Sequence, residues 1–214
     1  MRCLYGSQNL GYETPESDKD YMEFVYPSWK DILDNKCTNT EVISEDGSHT
    51  KVIDIRNLPS LKITGHFTYM QFMFSIETED FEDLQWFIDN RQRICKMNMF
   101  RSYQSNSHNM IGNLKKNITP KELTRCYAFL EMSKRLLLDE PFEMYNRKAY
   151  NYRVRVANFT EDELKQEADR LVQEYKDLKT SYMKYENVVD TALFEEDRAE
   201  VVRLLKHKLT ETKE

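Results

Sequence analysis

The chain has 214 residues, 40% of them hydrophobic, 12% aromatic and 32% charged, with only 5 Gly and 5 Pro. That is enough to bury a core in one domain or in a small α/β domain joined to a helical one, and so few turn residues fit a largely helical protein better than a sandwich of many turns. No apolar run approaches the ~20 residues of a membrane span, and the first residues form neither a basic n-region nor a long h-region, so a soluble cytoplasmic protein without membrane contact is expected. Cys3, Cys37, Cys95 and Cys126 lie far apart without metal-type spacing, which favours four reduced thiols over a disulfide frame. The net charge of −6 conceals an asymmetry. Residues 1–90 carry 7 basic against 17 acidic side chains, residues 91–155 carry 14 against 5, and residues 156–214 carry 10 against 15. A basic middle between acidic flanks suits the holding of a triphosphate or an RNA acceptor, and equally suits charge balance inside one domain.

In chain order, Arg2–Tyr5 reads as a short strand leading into a Gly-Ser corner and a polar loop through Pro15. Residues 20–26 alternate and are rich in aromatic and β-branched side chains, so they read as a second strand, ended by Pro27. Ser28 caps a short helix from Trp29 to Leu33. Residues 35–49 are polar, with Asp46-Gly47 as a turn signal. Residues 49–55 form the third strand candidate, with Val52 and Asp54 on one face and Ile53 and Ile55 on the other. Residues 56–65 look like a short helix closed by Gly65, and residues 69–76 suit a central strand or a buried helix.

From Asp80 onward the pattern is helical. Phe81, Leu84, Trp86, Phe87, Ile94 and Met97 predict a helix of roughly four turns. Thr119, Pro120 and Glu122 mark a helix start that runs through Leu137, and Thr160 and Glu163 mark another. Leu164, Ala168, Leu171, Tyr175, Leu178, Tyr182 and Tyr185 step by four and three, a stripe that packs on another helix. With a last helix over 191–209, the tail predicts a helical hairpin, whose stripe is read first as intramolecular core and second as an oligomer seam. The change of character near residue 78 divides the chain into an acidic strand-bearing part, 1–78, a basic helical region, 79–155, and the amphipathic tail, 156–214. The expected fold class is α+β, with a small mixed sheet, flanking helices and a helical C-terminal part.

The chemistry concentrates at the start. Asp18 and Asp20, one residue apart on an extended segment, project to the same side and make a pincer for a divalent cation. Gly6 lets backbone approach a phosphate closely, and Ser7 adds a hydroxyl. Asp54, an acid within a half-buried strand, would complete a three-carboxylate site of the kind that holds Mg²⁺. Taken alone, Asp54 reads equally well as a solvent-facing strand end. His49, His66, His108 and His207 show no metal-type pairing, and no dinucleotide fingerprint, Gly-Lys-Ser/Thr phosphate loop or Ser/His/Asp set is present.

With Gly6-Ser7, Asp18-x-Asp20 and Asp54 in that order, the first part of the chain resembles the DNA polymerase β-like nucleotidyltransferase superfamily. It is similar in particular to the predicted nucleotidyltransferases of bacteria and phages. The shared features are Gly6-Ser7-x-x-x-Gly11, Ser17-Asp18-x-Asp20, Asp54-Ile55-Arg56 and Gly65, with a Lys- and Arg-bearing helix around Lys121 and Arg125, over roughly residues 1–150. Two positions depart from the pattern: Gly6 stands close to the first residue, and Gln71 replaces an acid. The resemblance implies metal-dependent transfer of a nucleoside monophosphate from an NTP to a hydroxyl on RNA, protein or a small molecule. It also implies Mg²⁺ or Mn²⁺ on Asp18, Asp20 and Asp54, and phosphate contacts from Gly6, Ser7, Gln8, Asn9, Lys121 and Arg125. The cytoplasm in question would be a host's if a phage encodes the chain. The alternative is a catalytically silent nucleotide- or partner-binding protein on the same fold, such as a phage factor acting on a host protein, favoured by the short stretch ahead of Gly6, by Gln71 and by the long amphipathic tail.

Overall fold

Strand β1 (Arg2–Tyr5) pairs antiparallel with β2 (Asp20–Val25), and a short helix α1 (Gly6–Leu10) occupies the connection between them. The computed structural model describes residues 1–102, 118–137, 142–183 and 190–211. After β2 come α2 (Trp29–Leu33), β3 (Asn39–Ile43) and β4 (His49–Asp54), and then one 3₁₀ turn, Ile55–Asn57. Helices α3 (Leu58–Ile63) and α4 (Phe67–Met73) follow, and a two-residue strand β5 (Thr78–Glu79) ends the sheet region. The strand order is β3-β4-β2-β1-β5. Only β2 and β4 run parallel; the other neighbours are antiparallel. The result is a mixed α+β architecture, as the sequence predicts.

Alternation along the strands decides which face is covered. Cys3, Met22, Phe24 and Ile53 turn to one side and are fully buried there. Helix α4 lies on that side with all seven residues buried, and Phe72 meets Phe24 with ring centroids 4.3 Å apart. Residues 69–76 therefore contribute a buried helix, the second of the two forms their composition allows. Gly65 closes α3 at φ +60, where an added Cβ would lie 2.5 Å from the Met99 backbone nitrogen, so only glycine fits.

Two parts of the sheet region differ from expectation. Asp46-Gly47 is a turn, but it joins two strands: β3 pairs with β4 across it, Asn39 opposite Ile53 and Ile43 opposite His49. All five β3 residues are exposed, so no buried face imprints an alternation on them. The helix expected from Asp80 is broken into a 3₁₀ turn, Glu82–Leu84, then α5 (Gln85–Asp89), with helix resuming over residues 96–102. Asn90 ends α5 and turns its amide back onto the Trp86 carbonyl, 2.9 Å away, a local bond that competes with continuation of the helix.

The remaining helices are α6 (Pro120–Leu136), α7 (Arg147–Val156), α8 (Glu161–Tyr182) and α9 (Thr191–Glu211). Thr119 caps α6 by accepting from the Glu122 N–H, and Thr160 and Glu163 form a reciprocal capping box on α8. Helix α7 lies where the sequence carries no start signal beyond Asn146, whose side chain caps it. The stripe of α8 from Leu164 to Tyr182 is buried, packing largely on α6, with Tyr182 donating to the Ser133 carbonyl at 2.5 Å, while Tyr185 lies outside the described residues. The main partner of α9 is α3, where Lys62 and Asp197 pair at 2.9 Å, both fully buried. The last two helices thus take separate partners instead of the expected hairpin seam, and one contiguous core runs from Cys3 to Leu204. Among the described residues no helix is long and apolar enough to cross a membrane.

Candidate functional site

The end of β1, the start of β2 and the β3–β4 hairpin meet at one end of the sheet. Tyr5 lies opposite Asp20, Met22 opposite Lys51, and Lys51 opposite Glu41. Directly opposite residues share a face and the face repeats every second residue, so Tyr5, Asp20, Glu41, His49 and Lys51 all project to the same side. They line a cavity of about 590 Å³ together with Asp18 and Thr40.

Gly6 is built into this corner. Its φ is +73, and a Cβ added there would stand 2.9 Å from the Asp20 Oδ2. The Asp20 carboxylate therefore stands beside the backbone turn, whose positive φ favours glycine. Burial raises the Asp20 pKa above its ordinary value; Asp18 and Glu41 push the same way, while His49 opposes them. Lys51 is half-buried, which holds its pKa below that of an ordinary lysine against the pull of Glu41. Its ammonium donates to the Thr68 hydroxyl at 3.3 Å. His49 Nδ1 lies 3.0 Å from the Glu41 carboxylate. Arg125 on α6 is near enough to oppose the rise in pKa that burial imposes on the Tyr5 and Tyr12 hydroxyls.

The predicted site residues fall into two groups. Gly6, Ser7, Asp18, Asp20 and Arg125 gather around this end of the sheet. Asp54 does not join them. It lies opposite Val25, five residues along β2 from Asp20 and on the other face, about 17 Å away at the rise of a strand. Its carboxylate is buried and accepts from Arg56 Nε at 2.9 and 3.0 Å and from the Arg56 backbone N–H at 2.9 Å. Parallel pairing of β2 and β4 puts the end of β4 far from the start of β2, so Asp54 is a structural anchor for the turn into α3.

Two of the proposed phosphate contacts are also engaged elsewhere. The Gly6 N–H donates to Gln71 Oε1 at 3.1 Å, so it already has its acceptor. Asn9 is fully buried; its amide donates to the Gln71 carbonyl at 2.9 Å and its Oδ1 accepts from the Ile76 N–H at 3.2 Å. Asn9 therefore fastens α1 to the end of α4. Gln8 is half-buried in the middle of α1, and Lys121 is exposed in the first turn of α6. Gln71 supplies a neutral acceptor to both Gly6 and Asn9.

Glu41, His49 and Lys51 were missed because the strand that carries Glu41 leaves no periodic trace. The available signal was the Asp46-Gly47 turn, which places residues equally far on either side across from one another. Among the described residues no group of three His, Cys, Asp or Glu side chains stands close enough to hold a metal ion by itself. Mg²⁺, however, is commonly held by one or two protein carboxylates with nucleotide phosphates completing its shell, and Asp18 with Asp20 is such a donor pair. Comparison with family models, with curated proteins and with solved structures finds no match to this chain.

Proposed function

We propose that the cavity at the start of β2 binds a nucleoside triphosphate with Mg²⁺ or Mn²⁺ and transfers its nucleotidyl group to a hydroxyl acceptor. The observation that carries this reading is the pair of carboxylates, Asp18 and Asp20, lining one cavity, with the Gly6 turn beside Asp20. Asp18 and Asp20 would hold the cation, which would offset phosphate charge as pyrophosphate departs. Lys51 lines the cavity, Arg125 adds positive charge near Tyr5, and the Ser7 hydroxyl is a donor beside the Gly6 turn. The acceptor oxygen bonds to the α-phosphorus as the bridging bond to the β-phosphate breaks. Its proton passes to Glu41, the carboxylate that shares the face of Asp20 in place of Asp54.

A second reading, nucleotide binding without turnover, is favoured by the tie between Asp54 and Arg56, which withdraws the third acid of the motif from the site. Incubation with each α-labelled NTP, Mg²⁺ or Mn²⁺ and RNA or protein acceptors separates the two, with Asp18→Asn/Asp20→Asn as the control. Label transferred by the wild type and lost in the variant supports the enzyme. Metal-dependent nucleotide binding without pyrophosphate release supports the second reading. Folded protein that neither binds nor transfers any NTP overturns both.

A further inference from the structure

A second cavity, of about 550 Å³, opens on the helical side between α6, α7 and α8. Its size lies within the range of sites for small organic ligands, and its lining is of two kinds. Tyr127 and Tyr152 stack face to face, centroids 4.0 Å apart and planes within 2°. Around them stand Lys148, Asn151, Arg155 and Arg170.

The cations here are held in place by acids set behind them. Glu167, nine-tenths buried, accepts from Arg155 at 2.8 Å and from Arg170 at 2.9 and 2.7 Å. Glu131, equally buried, accepts from Lys134 at 2.7 Å and lies 3.8 Å from Lys148. Arg155 also lies over the Tyr152 ring, 5.0 Å from its centroid. Four cations, Lys134, Lys148, Arg155 and Arg170, thus face three carboxylates, Glu131, Glu167 and Glu174. The side chains of Lys148 and Arg155 are 70% and 54% exposed, so both reach solvent.

Helix α7, sequence RKAYNYRVRV, carries four cations and no acid. Arg153 donates to the Tyr12 carbonyl at 2.8 Å and Arg147 to Glu13 at 3.0 Å, which fixes the loop that follows α1. Lys148, Asn151, Tyr152 and Arg155 line the cleft on the other side.

A stacked aromatic floor with a rim of oriented guanidinium and ammonium groups matches one chemistry well: a planar base joined to a phosphate. Stacking tolerates any base, and the rim follows the backbone charge. We infer that this cleft binds a nucleoside phosphate unit presented in a single strand of nucleic acid, with the base against Tyr127 and the backbone phosphates on Lys148 and Arg155. Its use as the acceptor strand rests on the transferase reading above; strand binding itself does not.

The test is fluorescence anisotropy with labelled single-stranded RNA and DNA oligonucleotides over a salt series, with AMP, UMP and heparin as competitors. The wild type is expected to bind with an affinity that falls steeply with salt. Lys148→Glu, a surface change that leaves the fold intact, should weaken binding about tenfold and flatten the salt dependence. Tyr127→Leu, checked for folding by its thermal melt, should weaken it to a similar or greater degree. Asp18→Asn/Asp20→Asn should bind the strand as the wild type does, so a failed transfer assay leaves this proposal standing. A mononucleotide that competes as strongly as the oligonucleotide makes a free nucleotide the ligand and overturns the strand. Absence of binding at low salt, or binding unchanged by both cleft variants, overturns the site.

Discussion

Asp20 and Asp54 are both acids on neighbouring parallel strands, yet their surroundings give them opposite energetic signs. Asp20 has a folded pKa above its ordinary value because burial and the nearby Asp18 carboxylate disfavour its charge. A raised carboxylate pKa is a penalty present at pH above the folded value and relieved as pH falls through the unfolded value, 3.8. Asp20→Asn should therefore raise the thermal midpoint at pH 7 by about 1–2 °C, with the gain fading as pH approaches 4, while metal-dependent nucleotide binding is lost. Asp54 is buried with a guanidinium wrapped onto it, so Asp54→Asn should cost about 1.5–3 kcal/mol and leave nucleotide binding by the folded fraction intact. Thermal melts at pH 4 and 7 beside a nucleotide titration check both. If Asp20→Asn destabilises the protein, or Asp54→Asn abolishes binding without loss of stability, the roles given to these two acids are wrong.

At the scale of elements, the contact between α1 and α4 holds the Gly6 turn in place. Gln71, fully buried, gives its side-chain oxygen to the Gly6 N–H and to Asn9, and its carbonyl to Asn9 again. Gln71→Glu keeps those acceptors but buries a negative charge one backbone step from Asp20. Burial should lift the new carboxyl above its ordinary value, so the variant should lose about 1–3 kcal/mol at pH 7 and regain it as pH falls through ~4.3, the unfolded value. Urea unfolding at the two pH values measures this; equal loss at both would show that shape, not charge, is what the site requires at residue 71. The capped helices were legible because Thr119, Ser28 and Thr160 carry their own hydrogen-bonding partners three residues on. Strand β3 was not, because a fully exposed edge strand buries neither face, and the side of β4 on which Asp54 sits was readable while its distance from Asp20 was not. That distance depends on whether β2 and β4 run parallel, which is a property of the chain path and not of either strand.

At the scale of the whole molecule, α9 returns to the sheet region and closes it with a buried polar knot. Asp197 Oδ1 accepts from Lys62 Nζ at 2.9 Å and from the Trp86 indole at 3.0 Å, joining α9 to α3 and α5. Lys62 is 2% exposed and Asp197 1%, and burial holds the Lys62 pKa below that of an ordinary lysine despite the Asp197 partner. The sequence offered no route to this pair, since its members lie 135 residues apart and each sits at a position where a charge normally faces water. Removing one partner strands the other without solvent. Asp197→Leu and Lys62→Met should each therefore cost about 3–5 kcal/mol, while the double replacement Lys62→Met/Asp197→Leu, which trades the pair for apolar packing, should return to within about 1 kcal/mol of the wild type or exceed it. Trp86 reports unfolding directly, because the other tryptophan, Trp29, is 51% exposed. A urea double-mutant cycle read by tryptophan fluorescence tests the coupling. Single losses that add in the double variant would mean that Lys62 and Asp197 stabilise α9 separately, through Trp86 and packing, and that no buried ion pair fastens the last helix to the sheet region.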